Sequence, residues 1–232
     1  MIREIVLDTE TTGLNPRDGD RIVEIGAVEL INQVPTGEVY HQYINPERDM
    51  PTEAFNVHGL SEEFLRKFPV FAEIVDPFRD FVGDGVLVIH NAAFDMAFIN
   101  EELKRVSREA IPEEQVIDTL AIARKKHPMG PNSLDALCRR YSVDNSNRKV
   151  HGALLDAELL AAVYLELNGG RQHDLAITAI SDQTVTHIVR EKSIVMPRTE
   201  PLPTRLSSIE DSAHRELVKS LGNDSLWRKY GF

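Results

Sequence analysis

The sequence is short of cysteine, of tryptophan, of long apolar runs and of positive charge, and each shortage excludes something. The single cysteine, Cys138, cannot close an internal disulfide; it falls in the helical-looking run SLDALCRRY and reads as an inert buried thiol. No stretch approaches the ~18 to 20 continuous apolar residues that span a bilayer. The opening MIREIVLDTE lacks the charged, apolar and cleavage regions of a secretory signal, so the expected compartment is the cytoplasm. Lys and Arg number 26 against 37 Asp and Glu, a formal net charge of -11. That deficit argues against gripping nucleic acid through a broad basic surface, which needs many cations to displace counterions. It leaves room for a small acidic pocket in which divalent cations supply the positive charge that a phosphate requires.

What is present is enough for one substantial core. The 232 residues, 42% of them hydrophobic, can build a domain of roughly 150 to 200 residues plus an appendage. Apolar and β-branched runs predict strands over Ile5–Leu7, Ile22–Ile31, Val39–Ile44 and Val86–Ile89, with NQVPTG as a turn and the first three strands as an antiparallel meander. Periodicity predicts helices over Phe71–Val82, Ala93–Val106, Thr119–Lys126, Ser133–Tyr141 and Ala153–Asn168, the last stopped by Gly169 and Gly170. This is an α/β domain over residues 1–170. Residues 171–232 form a tail that mixes β-branched stretches with Pro197, Pro201 and Pro203 before a short capped helix over Ser208–Leu221. There is no internal repeat.

Four acids stand out against this frame. Asp8 and Glu10, in LDTETTG, are placed at the end of the first strand, with Gly13 releasing the chain into a turn. Asp95 has Asn91, Ala92, Phe98 and Ile99 as helical neighbours, and Asp156 has Gly152, Ala153, Leu159 and Leu160. An ionised carboxylate on an apolar face costs several kcal/mol unless cations or strong donors meet it. A buried salt bridge or a cap accounts for any one of these acids but poorly for four. Oxygen ligands without cysteine suit Mg²⁺ or Mn²⁺, and two such ions about 4 Å apart stabilise both the attacking and the leaving oxygen of a phosphodiester. His151, five residues before Asp156 and followed by Gly152, is suited to take the proton of an attacking water.

Together LDTETTG, HNAAFD and HGALLDAE resemble the three motifs of the DEDDh exonucleases. Within that group PTEAFNVHGL, FAEIVDPF, VIHNAAFDMAFIN, NSLDALCRRY and HGALLDAELLAAVYL are similar to the proofreading epsilon family of bacterial DNA polymerase III. The resemblance implies a ribonuclease H-like fold, a mixed five-stranded sheet flanked by helices, and removal of mismatched 3′-terminal nucleotides. It implies that Asp8 bridges two Mg²⁺ or Mn²⁺ ions, that Glu10 and Asp156 help hold the first, and that Asp95 supports the second, partly through water. It also implies that Glu53 and His58, with Thr11, Leu14, Asn91 and Phe94, border the terminal nucleotide beside Asp8, Glu10 and Asp156. In the tail, Gln172, Leu175 and Ile177 fit the family's sliding-clamp pattern, and Trp227 in SLWRKYGF falls in the part that binds the polymerase catalytic subunit. A small theta-like accessory subunit is a further partner known in the family. The competing expectations are an RNA or short-oligonucleotide exonuclease of the same group, which needs no such tail, and a structural subunit without activity, which intact catalytic positions disfavour.

Overall fold

The structure is a computed structural model that describes residues 2–148, 150–169 and 207–221. These fall into two compact units, with residues 207–221 in the second. In the first unit, strands β1 (Arg3–Thr11), β2 (Ile22–Ile31) and β3 (Val34–Tyr43) form the expected meander. Helices α1 (Thr52–His58), α2 (Glu62–Leu65) and α3 (Phe71–Val82) follow, then β4 (Val86–Ile89), α4 (Ala92–Arg105), β5 (Val116–Asp118), α5 (Thr119–Lys126), α6 (Leu134–Tyr141) and α7 (Ala153–Leu167). The second unit contains α8 (Ser208–Ser220), whose Ser207 and Glu210 cap each other reciprocally. None of the described helices is long and apolar enough to cross a membrane.

The sheet runs β3-β2-β1-β4-β5, with β1 antiparallel to β2 and parallel to β4. Alternation along β1 feeds two cores. Ile5 and Leu7 join Ile25, Ala27, Leu87 and Ile89 under the apolar faces of α3 and α4, while Val6 joins Val28, Leu30 and Val88 under α6 and α7. A strand buried on both faces gains roughly 1.5 to 3 kcal/mol from each large apolar side chain, so the centre of β1 is pinned. Cys138 is fully buried in the second core, as the sequence suggests.

Three expectations change. The turn is confined to Asn32 and Gln33, both at positive φ (50° and 66°), the geometry of a two-residue hairpin; β3 therefore starts at Val34, and Pro35 is tolerated because β3 is an edge strand. β1 does not stop at Asp8 but pairs with β2 as far as Thr11. The sequence reading also omits β5, α1 and α2, each short enough to carry little periodic signal.

Candidate active site

The parallel strand ends build the site. Beyond Ile89, His90 and Asn91 turn the chain into α4, with Asn91 at φ 67°, and this sets Asp95 in the helix's first turn. Both backbone N–H and Oγ1 of Thr9 donate to Asp95 Oδ1, at 3.1 and 2.7 Å. Asp8 and Glu10, two apart on β1, project from one face of the strand. On that face the N-terminus of α7 lies directly on β2, because Gly26, the partner of Asp8 across the strands, has no side chain: a Cβ there would sit 2.1 Å from the Leu154 nitrogen. This close approach carries Asp156, also in its helix's first turn, over Asp8 and Glu10.

Asp8, Glu10, Asp95, His151 and Asp156 line one cavity of about 330 Å³ with Thr9, His90, Asn91, Phe94, Ser133, Leu134, Asp135 and Arg148. A larger cavity of about 980 Å³, along α4, is lined by apolar residues such as Ala92, Ala93 and Met96 and by charged ones such as Arg17, Glu101, Lys104 and Arg108, and contains none of these five residues. Ligand atoms of Glu10, His151 and Asp156 lie within 4.8 Å of one another. Burial, then the repulsion of Asp95, Glu10 and Asp156, raises the Asp8 carboxyl well above its usual range. Burial, then Asp156, Glu24 and Asp95, pushes Glu10 up to about 8. Burial also raises Asp95, against the opposing donors of Thr9. Carboxylates crowded so that they resist ionisation are a donor set that a divalent cation completes, so the residues fit a metal.

One cation already touches the cluster. The Arg148 guanidinium forks onto Asp156, Nε to Oδ1 at 2.5 Å and Nη2 to Oδ2 at 2.7 Å, contacts Asp135 Oδ1 at 2.9 Å, and donates from Nη2 to His151 Nδ1 at 2.9 Å. His151 Nδ1 itself lies 3.5 Å from Asp156 Oδ2.

Of the expected nucleotide-bordering residues, Asn91 and Phe94 line the cavity and Glu53, His58, Thr11 and Leu14 do not. Glu53 and Leu14 are exposed. His58 is buried, accepts at Nδ1 from Leu60 N–H, and has no hydrogen-bond partner for its buried Nε2 among the described residues; its pKa is lowered, chiefly by burial. It belongs beside the site, because Val57 accepts from the His151 N–H at 3.1 Å. The sequence reading missed Arg148, Asp135, Thr9 and His90. Thr9 was findable, lying between two assigned acids; Arg148 sits in a polar run, DNSNRKV, that reads as an ordinary solvated loop. Gln172, Leu175, Ile177 and Trp227 lie outside the described residues.

Residues 5–164 match the family model described as Exonuclease. The chain is 47% identical over 231 residues to the DNA polymerase III subunit epsilon of Rickettsia felis, covering 95% of this chain and 97% of that one. It is 44% identical over 243 residues to the subunit of the same name from Escherichia coli K12, covering 97% of each. Among solved structures, exonuclease X in complex with 5′ overhanging duplex DNA matches with a TM-score of 0.56 and 27% identity, over 72% of this chain and 91% of that chain.

Proposed function

The chain belongs to the exonuclease family and, within it, to the DNA polymerase III epsilon subunits, and from that premise we propose how its pocket removes mismatched 3′-terminal nucleotides as the polymerase proofreads. The observation that carries the reading is the convergence of Asp8, Glu10, Asp95 and Asp156 with His151 on one cavity, from β1, α4 and α7 and the loop before it.

Asp8, Glu10, Asp95 and Asp156 would hold two Mg²⁺ or Mn²⁺ ions. When bound, the cations polarise the scissile phosphate and favour hydroxide over water. The chain's own residues do the rest. Thr9 fixes Asp95 through two donors, so one ligand is set before anything binds. His151, whose side chain is 47% exposed, accepts the proton of the attacking water at a ring nitrogen and can pass it on to solvent. Asn91 and Phe94 border the terminal nucleotide, and the Nε2–H of His58 donates to it, with Glu53, Thr11 and Leu14 on the approach.

Residues 1–170 carry this chemistry, with a theta-like subunit as a candidate partner of that domain, and 171–232 carry the other partners: Gln172, Leu175 and Ile177 on the sliding clamp and Trp227 on the polymerase catalytic subunit, all in the cytoplasm. Resemblance and the position of these residues after the exonuclease unit support that assignment.

The test is digestion of a 5′-labelled primer–template with a 3′ mismatch. The expected result is a ladder shortening from the 3′ end with Mg²⁺ or Mn²⁺, slower on the paired duplex, and absent with chelator or after Asp8→Ala with Glu10→Ala. Cleavage of RNA oligomers alone would falsify the role in replication.

A further inference from the structure

Arg148 is the feature of the pocket that the reaction does not require, and its contacts are specific. Its side chain is 9% exposed, and its guanidinium spans both oxygens of Asp156, Asp135 and the Nδ1 of His151 at once. Guanidinium has no lone pair to offer, so in the contact with His151 it must donate and Nδ1 must accept. A neutral imidazole has one N–H and one lone pair. With the lone pair at Nδ1 engaged by Arg148, the proton is on Nε2, and neither ring nitrogen can accept a proton from water.

We propose that Arg148 is a positioning residue that keeps His151 in the idle tautomer until Asp156 ligates a cation, so that occupation of the metal site arms the base. The inference rests on the reading of His151 as base and Asp156 as ligand. The coupling runs through Asp156. A divalent cation on Asp156 repels the guanidinium that shares the same carboxylate, and the fork that anchors Arg148 beside His151 is broken. Asp135, 42% exposed and still paired with Nη1, is left to hold the arginine at the rim. His151 Nδ1–H then has Asp156 Oδ2 as its acceptor, already 3.5 Å away, and Nε2 is left with the free lone pair. A carboxylate that fixes the tautomer of a neighbouring imidazole is a familiar device of metal sites. Here the same carboxylate is contested, and the arginine prevents the histidine from working in a site without metal.

The experiment reads the tautomer rather than the activity. Long-range proton–nitrogen spectra are recorded on the ¹⁵N-labelled full chain at pH 8, with His151 assigned by its loss in His151→Gln. In chelator the wild type is expected to show protonated Nε2 and bare Nδ1, and titration with Mg²⁺ is expected to convert it to protonated Nδ1. Arg148→Met, which keeps length and removes every donor, is expected to show the converted signal, or a mixture, before any metal is added. It is also expected to bind Mn²⁺ about tenfold more tightly by calorimetry, because no guanidinium competes for Asp156. If Arg148→Met fails to fold, Arg148→Lys, which cannot fork, substitutes for it, and the wild-type titration needs no variant. A His151 signal that Mg²⁺ leaves unchanged, or that is the same with and without the guanidinium in chelator, overturns the proposal. Wild-type protein that cuts no DNA overturns the underlying reading instead, and the two failures are separately visible.

Discussion

Glu102 and Glu10 are buried to nearly the same depth, 2% and 7% exposed, and they have opposite roles. Glu102 receives Arg21 as a fork, Nε to Oε1 at 2.5 Å and Nη2 to Oε2 at 3.0 Å, and so joins α4 to the start of β2. Glu4 is in the same position, its two oxygens taken by Tyr164 Oη and the Gln33 N–H. Glu10 faces Glu24 across the strands and shares its surroundings with Asp8, Asp95 and Asp156, so burial and like charge push it up to about 8. Glu102 and Glu4, answered by the chain and standing away from the cluster, are part of the structure. An acid surrounded by other acids is waiting for something the chain does not contain.

The contrast predicts opposite outcomes for two similar deletions. Asp8→Ala with Glu10→Ala is expected to lower exonuclease turnover by about a thousandfold or more, yet to leave the melting temperature in chelator unchanged or raised, since it removes mutual repulsion. Glu102→Ala is expected to cost roughly 3 kcal/mol of stability by stranding Arg21, with turnover of the folded protein close to normal. Calorimetry in chelator beside a turnover assay separates the two. The comparison breaks if the double variant melts well below the wild type.

That distinction was partly legible in the sequence. Asp95 and Asp156 stood out because each interrupts an apolar helical face, and both are buried in the cavity. Glu102 is buried just as deeply and looked ordinary, because NEELKR offers solvent-style neighbours and its partner Arg21 is 81 residues away. The ends of β2, β4, α3 and α5 were readable, being marked by β-branched runs or by amphipathic periods with clear stops. The second half of β1 was not: its residues DTET are polar, and only pairing with β2 makes them a strand. Arg148 was invisible for the related reason that a loop cation acquires meaning only from what the fold sets against it.

A milder probe changes proton binding instead of composition. Glu10 ionises near 4.5 when unfolded and about 8 when folded without metal, so between those values the folded form holds the extra proton. Stability from this source is present below about pH 4.5 and is lost as pH rises through 8. In chelator the melting temperature is therefore expected to fall between pH 5 and pH 8, by at least about 5 °C, and Mn²⁺ is expected to restore more at pH 8 than at pH 5. The Glu102→Ala variant, whose pocket is intact, is expected to keep the same slope, whereas Asp8→Ala with Glu10→Ala is expected to flatten it. An unchanged slope in the double variant assigns the pH dependence to another part of the molecule.

The smallest effect sharpens the boundary between the two kinds of acid. Asp95 belongs to the crowded cluster, yet Thr9 answers one of its oxygens twice, through the backbone N–H and through Oγ1. It is half structural. Thr9→Val keeps the shape and the backbone donor but removes the hydroxyl, leaving Oδ1 with a single donor. If that hydroxyl serves mainly to orient the carboxylate, turnover is expected to drop about tenfold, as for other groups that support a ligand from behind. The melting temperature in chelator is expected to move by only a degree or two, because the valine packs in the same space and the lost bond is partly offset by easier protonation of Asp95. A large loss of stability with unchanged turnover is the opposite result, and it moves Asp95 to the side of Glu102 and leaves the cluster with one fewer ligand.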